Sequence, residues 1–417
     1  MTLCMPPLWI LIHPGHVHTG MRRLGAHFCR FAGLVILAVL CGVGLSGCGA
    51  NEASLSPVAR IGEKAFVDPL LSASGRQSCA SCHAPETGHA AANALAVQLG
   101  GANLDQPGLR NSQTLRYLTR NTPFGFDAEG TPTGGFFWDG RADALAQQAA
   151  GPLLGAREMA NPDKASVVAK MAQTAWVSDF KAVFGENILQ NVDLAFDKLT
   201  LALAQYQIEE ALFHGFTSKY DAYLRGETTL TVQEARGLAL FNASDKGNCA
   251  SCHTSSKGTD GSYPLFTDFT YDNLGLPRNM AIPANADAGH FDLGLCGRQD
   301  LLNRQDLCGA FKVPSLRNVA LRKTYFHNSA FTNLKDALTF YVQRDTHPEK
   351  WYPRLSDGTV EKFNDLPFSL RGNVNTTEAP YNRTVGDAPA LSDAEVDDVI
   401  VFLQTLTDGW HPASAQR

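Results

Sequence analysis

The word CASCH stands twice in this 417-residue chain, at positions 79–83 and again at 249–253, with the same two filler residues in each copy. Few five-residue patterns constrain a chain so tightly. Two thiols three positions apart reach the two vinyl groups of one heme, and the adjacent histidine turns its imidazole onto the iron. A zinc site or a redox CxxC pair is the competing use of such cysteines; in an exported, helical chain heme attachment is the expected one. Two copies therefore predict two covalent c-type hemes, one on Cys79, Cys82 and His83, the other on Cys249, Cys252 and His253.

The N-terminus points to export. The first 50 residues contain no Asp or Glu, and Arg22, Arg23 and Arg30 precede the apolar run FAGLVILAVLCGVGL, which ends at LSGC. A positive region, a short apolar region and a small-residue cleavage site make a signal peptide over 1–47, and an apolar run this short favours cleavage over a retained membrane span. LSGC resembles a bacterial lipobox, which makes Cys48 the lipidated first residue of a periplasmic, membrane-anchored protein. The chain start is open between Met1 and Met21. Loss of 1–47 takes three arginines and no acid, moving the net charge from −6 to −9. That disfavours nucleic acid as a partner; it suits either a basic redox protein or simple solubility. Of ten cysteines, Cys4, Cys29, Cys41 and Cys48 fall in or at the leader and four belong to CASCH. The remaining pair, Cys296 and Cys308, reads as a disulfide in an exported protein, two buried thiols being the alternative.

The rest of the chain reads as mainly α. PVARIGEKAFVDPLL places apolar residues at helical spacing before the first CASCH and EARGLALFN does so before the second, a crude repeat offset by 170 residues. ASVVAKMAQTAWVSDFKAVF and LAFDKLTLALAQYQIEEALF read as amphipathic helices closing a first domain. A boundary is expected in the polar stretch TSKYDAYLRGETTLT, which divides the mature chain into 48–225 and 226–417. Beyond it come a Gly/Pro/Asn-rich excursion from Thr254 to about Pro314 and a helix TNLKDALTFYVQ with Leu334, Leu338, Tyr341 and Val342 on one face. A terminal helix opens on a capping box of Ser392 and Glu395.

What distinguishes two such hemes is the other face of each iron. Between the two words the only additional histidines are His89 and His214, and the only methionines Met159 and Met171. His89 is too near His83 to cross a heme plane, so the first iron is expected to lack a strong sixth ligand and to leave room for a small molecule. After the second word Met280, His290, His327, His347 or a deprotonated tyrosine could serve, and composition does not choose among them.

Three further segments carry a resemblance: FFWDGRADALAQQAAGPLLGAREM (136–159), FTDFTYDNLGLP (266–277) and FKVPSLRNVALRKTYFH (311–327). In order and content they resemble the diheme cytochrome c peroxidase and MauG family, and the likeness runs from about Pro57 to the end. The resemblance implies two cytochrome c-like domains with one heme each. It places the catalytic acid/base of peroxide cleavage at Glu158, a distal amide at Gln148, and an electron-relaying tryptophan between the hemes at Trp138. Gly151 and Pro152 are expected to end the ADALAQQAA helix, leaving Glu158 on a loop that can lean into a cavity. A surface carboxylate and a packing tryptophan are the plainer alternatives. The resemblance also implies calcium held by Asn111 and by the backbone carbonyls of Arg322 and Thr324, although Arg and Thr stand where the peroxidases usually have Thr and Pro.

Two departures mark the subfamily. Asn103 stands where typical family peroxidases carry a histidine that caps the first heme at rest, and Tyr341 stands where they place a methionine on the second, as in MauG-type enzymes. A tyrosinate favours oxidised iron and lowers the potential; core packing beside Leu334 and Leu338 is the alternative for Tyr341. The implied activity is reduction of hydrogen peroxide through a high-valent state shared by both irons. The electrons would come from a small cytochrome c or cupredoxin, or from a Trp or Tyr of a partner protein as in MauG. A diheme electron carrier without peroxide chemistry is the reading from another class.

Overall fold

The computed structural model describes residues 55–412. The leader over 1–47 and the lipidation position Cys48 lie outside the described residues. Among those described, no helix is long and apolar enough to cross a membrane.

The architecture is mainly α. Helix α1 (Pro57–Val67) begins at Ser56, whose hydroxyl accepts the Ala59 N–H at 3.1 Å, with Pro57 at the first helical position where its missing N–H costs nothing. The one-turn α2 is the first heme word itself, Cys79–Cys82. There follow α3 (Leu145–Leu154), α4 (Lys164–Met171), α5 (Val177–Phe184), α6 (Val192–Glu209), α7 (Lys219–Leu224), α8 (Val232–Asn242), α9 (Leu334–Gln343) and α10 (Asp393–Gln404). Helix α10 starts on the capping box of Ser392 and Glu395. The named strands are three two-residue antiparallel ladders, of which Tyr271–Asp272 paired with Phe311–Lys312 matters most, because it lies beside the second heme word.

Two apolar cores organise these elements. Ile61, Phe66, Phe180, Phe196 and Leu199 belong to one, Phe241, Phe266, Val399, Phe402 and Leu403 to the other. Each is built on a helix crossing made close by a glycine. A Cβ at Gly62 of α1 would collide with the Ala202 carbonyl of α6, and one at Gly237 of α8 with the Asp398 carbonyl of α10. The repeat in the sequence is thus a repeated crossing: in both halves the helix ahead of CASCH is pressed backbone to backbone on a long partner.

The structure differs from the sequence reading at the end of α3. Helix α3 does not stop at Gly151 and Pro152; it runs through them to Leu154, and the Gly155 N–H closes it on the Gly151 carbonyl at 2.8 Å. Proline forfeits one backbone bond, but the burial of Leu153 in the first core holds the last turn in place. The polar stretch in which the domain boundary is expected contains α7, with Tyr220, Asp221 and Ala222 all buried. Ser218 and Asp221 cap it reciprocally, and Asp221 also meets Arg317 in an ion pair with both side chains essentially fully enclosed, Nη2 to Oδ1 at 2.8 Å. Arg317 further donates to the Pro264 carbonyl at 2.8 Å and lies over the Tyr117 and Phe216 rings. Asp221→Ala would strand that guanidinium. A loss of about 3–5 kcal/mol is the expected result, read as a lower denaturant midpoint for the holoprotein.

The end of the chain returns to the first half. Asp408 accepts from the Tyr117 hydroxyl at 2.6 Å and from Asn318 Nδ2 at 2.7 Å, and pairs with Arg116 at 3.2 Å. Cys296 and Cys308 are joined as a disulfide that staples the irregular segment between them.

Candidate functional site

Each CASCH word opens onto its own cavity. In the first, the turn is set by Ser78, whose backbone N–H meets Ser81 Oγ at 2.9 Å, and by the His83 N–H, which closes on the Cys79 carbonyl at 3.0 Å. His83 Nδ1 lies 3.1 Å from the His89 carbonyl, leaving Nε2 for the cavity. His89 cannot turn inward: its ring packs on Phe213 at 4.2 Å and its Nδ1 accepts from Arg116 at 3.2 Å. In the second, the His253 N–H closes on the Cys249 carbonyl at 2.9 Å and its Nδ1 lies 2.8 Å from the Phe266 carbonyl. An imidazole fixed through one nitrogen by a carbonyl is the arrangement that orients the other toward a metal.

Electrostatics agree. Burial pulls His83 down to about 4 and lowers His253, so both imidazoles are neutral and able to ligate. Burial also pushes the thiols of Cys79 and Cys249 up to about 12, and all four CASCH cysteines are free of disulfides. The walls are largely apolar, with Phe66, Leu115 and Leu203 in the first and Leu274, Leu338 and Leu403 in the second. Paired thiols, an oriented neutral imidazole and an apolar-walled cavity beside them fit a covalent heme at both words.

The remaining walls differ. Gln148 of α3 and Glu158 face the first cavity. Glu158 lies on the turn that follows Gly155, held by its N–H on the Gly155 carbonyl at 2.9 Å and by its carbonyl on the Gly101 N–H at 2.8 Å. A methyl group at position 155 would run into the Glu158 carboxyl, so a larger residue there would push that carboxyl from its place. Enclosure raises that carboxyl above the usual range, with Arg141 partly offsetting it. Asn103 is on the surface and absent from this wall, and Met171 is wholly in the first core; Met159 touches the wall but is 3 % exposed and packed into that core.

Of the residues proposed for the second heme's far side, Tyr341 is in the wall, on the face of α9 that also presents Leu334 and Leu338. Met280 is 64 % exposed and off the cavity, His290 lines the first cavity instead, and His347 is engaged with Thr346. His327 does reach the second wall but is stacked on Phe311 at 3.4 Å. Burial, with Asp272 and the cysteines adding, holds the Tyr341 phenol well above its usual value. The sequence reading missed Tyr381, buried with its ring 6.1 Å from that of Tyr341, and Lys312, buried in the walls of both cavities. Nothing in local spacing marks either one.

Trp138 also belongs to both walls. It is buried, and its indole N–H donates to the Asn111 carbonyl at 2.9 Å.

A family model described as di-haem cytochrome c peroxidase matches residues 56–229. Methylamine utilization protein MauG of Paracoccus denitrificans is 37% identical over 361 residues, covering 84% of this chain and 88% of that protein. The chain belongs to the di-haem cytochrome c peroxidase and MauG family. Cytochrome c551 peroxidase of Nitrosomonas europaea, another family member, is 31% identical over 67% of this chain and 71% of its own length. Among solved structures, the diheme peroxidase BthA from Burkholderia thailandensis superposes with a TM-score of 0.77 at 39% identity, covering 85% of this chain and 87% of that one.

The calcium position implied for a di-haem peroxidase of this family does not suit the ion here. Asn111 turns its amide nitrogen, not its oxygen, to the Thr324 carbonyl at 3.2 Å and the Phe326 carbonyl at 3.0 Å. Its oxygen accepts from Arg322 Nη2 at 3.3 Å, and the Arg322 carbonyl accepts from the Tyr325 hydroxyl at 3.1 Å. The oxygens expected to bind calcium are each taken by a hydrogen donor, and a guanidinium stands beside them. Among the described residues no cluster of three or more His, Cys, Asp or Glu offers an alternative metal site.

Proposed function

We propose that this chain is a periplasmic, lipid-anchored diheme c-type peroxidase that reduces hydrogen peroxide to water. It would comprise two cytochrome c-like heme domains, 48–225 and 226–417, after a leader over 1–47, with Cys48 carrying the lipid. Cys79, Cys82 and His83 would hold the peroxide-binding heme; Cys249, Cys252, His253 and Tyr341 would hold the second. The hemes supply the redox-active irons and accept electrons one at a time.

The reading rests above all on one contrast between two identical mounts: Glu158 and Gln148 line only the first cavity, whereas tyrosines, Tyr341 among them, line only the second. Cleavage of peroxide requires a proton to pass from one oxygen to the other, so that the leaving oxygen departs as water. Glu158, its carboxyl raised by enclosure, is suited to accept that proton and return it. Gln148 offers amide hydrogen-bonding groups that orient the substrate without titrating. Trp138, held by the Asn111 carbonyl in the wall of both cavities, is positioned to carry electrons between them. The balance is two electrons and two protons per peroxide, giving two waters, with the electrons drawn from a small redox protein such as a cytochrome c or cupredoxin.

Tyr341 favours one second reading, the MauG-like oxidation of a Trp or Tyr on a partner protein, because a phenolate ligand stabilises oxidised iron. The holoprotein should contain two c-type hemes per chain by pyridine hemochrome. On mixing its oxidised form with peroxide, both heme spectra should change, and reduced cytochrome c should then be consumed two per peroxide. Spectral change without cytochrome turnover selects the protein-substrate reading. No change at either heme leaves a simple electron carrier.

A further inference from the structure

The residues around Asn111 form a site with a cation of its own. Arg322 Nη2 donates to Asn111 Oδ1 at 3.3 Å and to the Ser112 carbonyl at 2.9 Å. Asn111 passes the constraint on, its carbonyl receiving the Trp138 indole N–H at 2.9 Å and its own N–H bonding the His327 carbonyl at 2.7 Å. The guanidinium lines the second cavity, and its field also reaches His83 in the first. It makes no salt bridge among the described residues, and a guanidinium stays charged at neutral pH. A divalent ion among these same oxygens would face that uncompensated charge and two donor hydrogens.

We propose that Arg322 is a built-in cation that takes the place of calcium between the two heme cavities, where it fixes the Asn111 carbonyl that holds Trp138 and raises the reduction potential of both hemes. Its role is positional and electrostatic; it touches no substrate. A fixed positive charge near an iron favours the reduced state, so its removal lowers the potential.

Three measurements on the holoprotein test this, none of which requires peroxide turnover, so the proposal can fail independently of the peroxidase reading. Protein purified without chelator should carry far less than one calcium per chain by elemental analysis. Its thermal midpoint, Soret spectrum and two reduction potentials should be unchanged by EGTA or by excess calcium chloride. One tightly held calcium whose removal shifts these properties overturns the proposal. Arg322→Gln keeps an amide donor toward Asn111 without the charge and should lower both potentials, whereas Arg322→Lys keeps the charge and should hold both near the parent values. Potentials equal in parent and Arg322→Gln, or lowered alike in both variants, overturn the electrostatic role. If Arg322→Gln does not accumulate as holoprotein, the calcium measurements on the parent still decide the replacement.

Discussion

Glu158→Gln should lower the rate of peroxide cleavage by about 10²–10⁴-fold, the usual contribution of a positioned proton-transfer group, while leaving two hemes bound. Glutamine preserves the size of the side chain and its seat on the turn after Gly155, so the change isolates the proton. The pH profile supplies a second readout. A carboxyl raised by enclosure must lose its proton before it can take one from peroxide, so the parent rate should fall as pH drops through that raised value, earlier than for a surface carboxylate. In Glu158→Gln that acidic limb should vanish along with most of the rate. Stopped-flow absorbance across pH measures both; a variant as fast as the parent would remove Glu158 from the mechanism.

Tyr341→Phe should change the spectrum of the second heme and raise its reduction potential by on the order of 0.1 V or more, since axial ligands tune heme potentials over a range of about 0.8 V. The direction follows from charge. Burial and Asp272 favour the neutral phenol, so a bond to iron would be what draws off its proton, and the anion so formed would stabilise the oxidised metal. Removing the hydroxyl removes that anion while keeping the ring among Leu334 and Leu338. Tyr381→Phe is the control: its ring lies 6.1 Å away in the same wall, and its loss should leave the second-heme spectrum intact. Spectroelectrochemical titration separates the outcomes, and a spectrum unmoved by Tyr341→Phe but altered by Tyr381→Phe would transfer the ligand role.

The heme mounts were legible because their chemistry is local: five consecutive residues contain both thiols and the imidazole. The α9 face was legible for a similar reason, since helical spacing alone puts Leu334, Leu338 and Tyr341 together. The residues that fix each mount from outside were not. The carbonyls of His89 and Phe266 act through the backbone, so their side chains give no sign of the role. Helix α7 escaped notice because its buried members include a carboxylate, and an aspartate reads as exposed until Arg317, 96 residues later, is known to meet it. Pro152 misled in the opposite sense: a local breaker was overruled by the burial of its neighbour Leu153. At Arg322 the sequence showed an unusual residue, but only the geometry shows that its side chain stands among the expected ligand oxygens.

Asp408 has a consequence for the order of assembly. Both heme words emerge from synthesis long before it, yet its carboxylate gathers Arg116, Tyr117 and Asn318 at one point. That knot cannot close before residue 408 is made, although other ties across the same seam, Arg110 to Asp292 and Asn111 to the Thr324 carbonyl, need only residues made earlier.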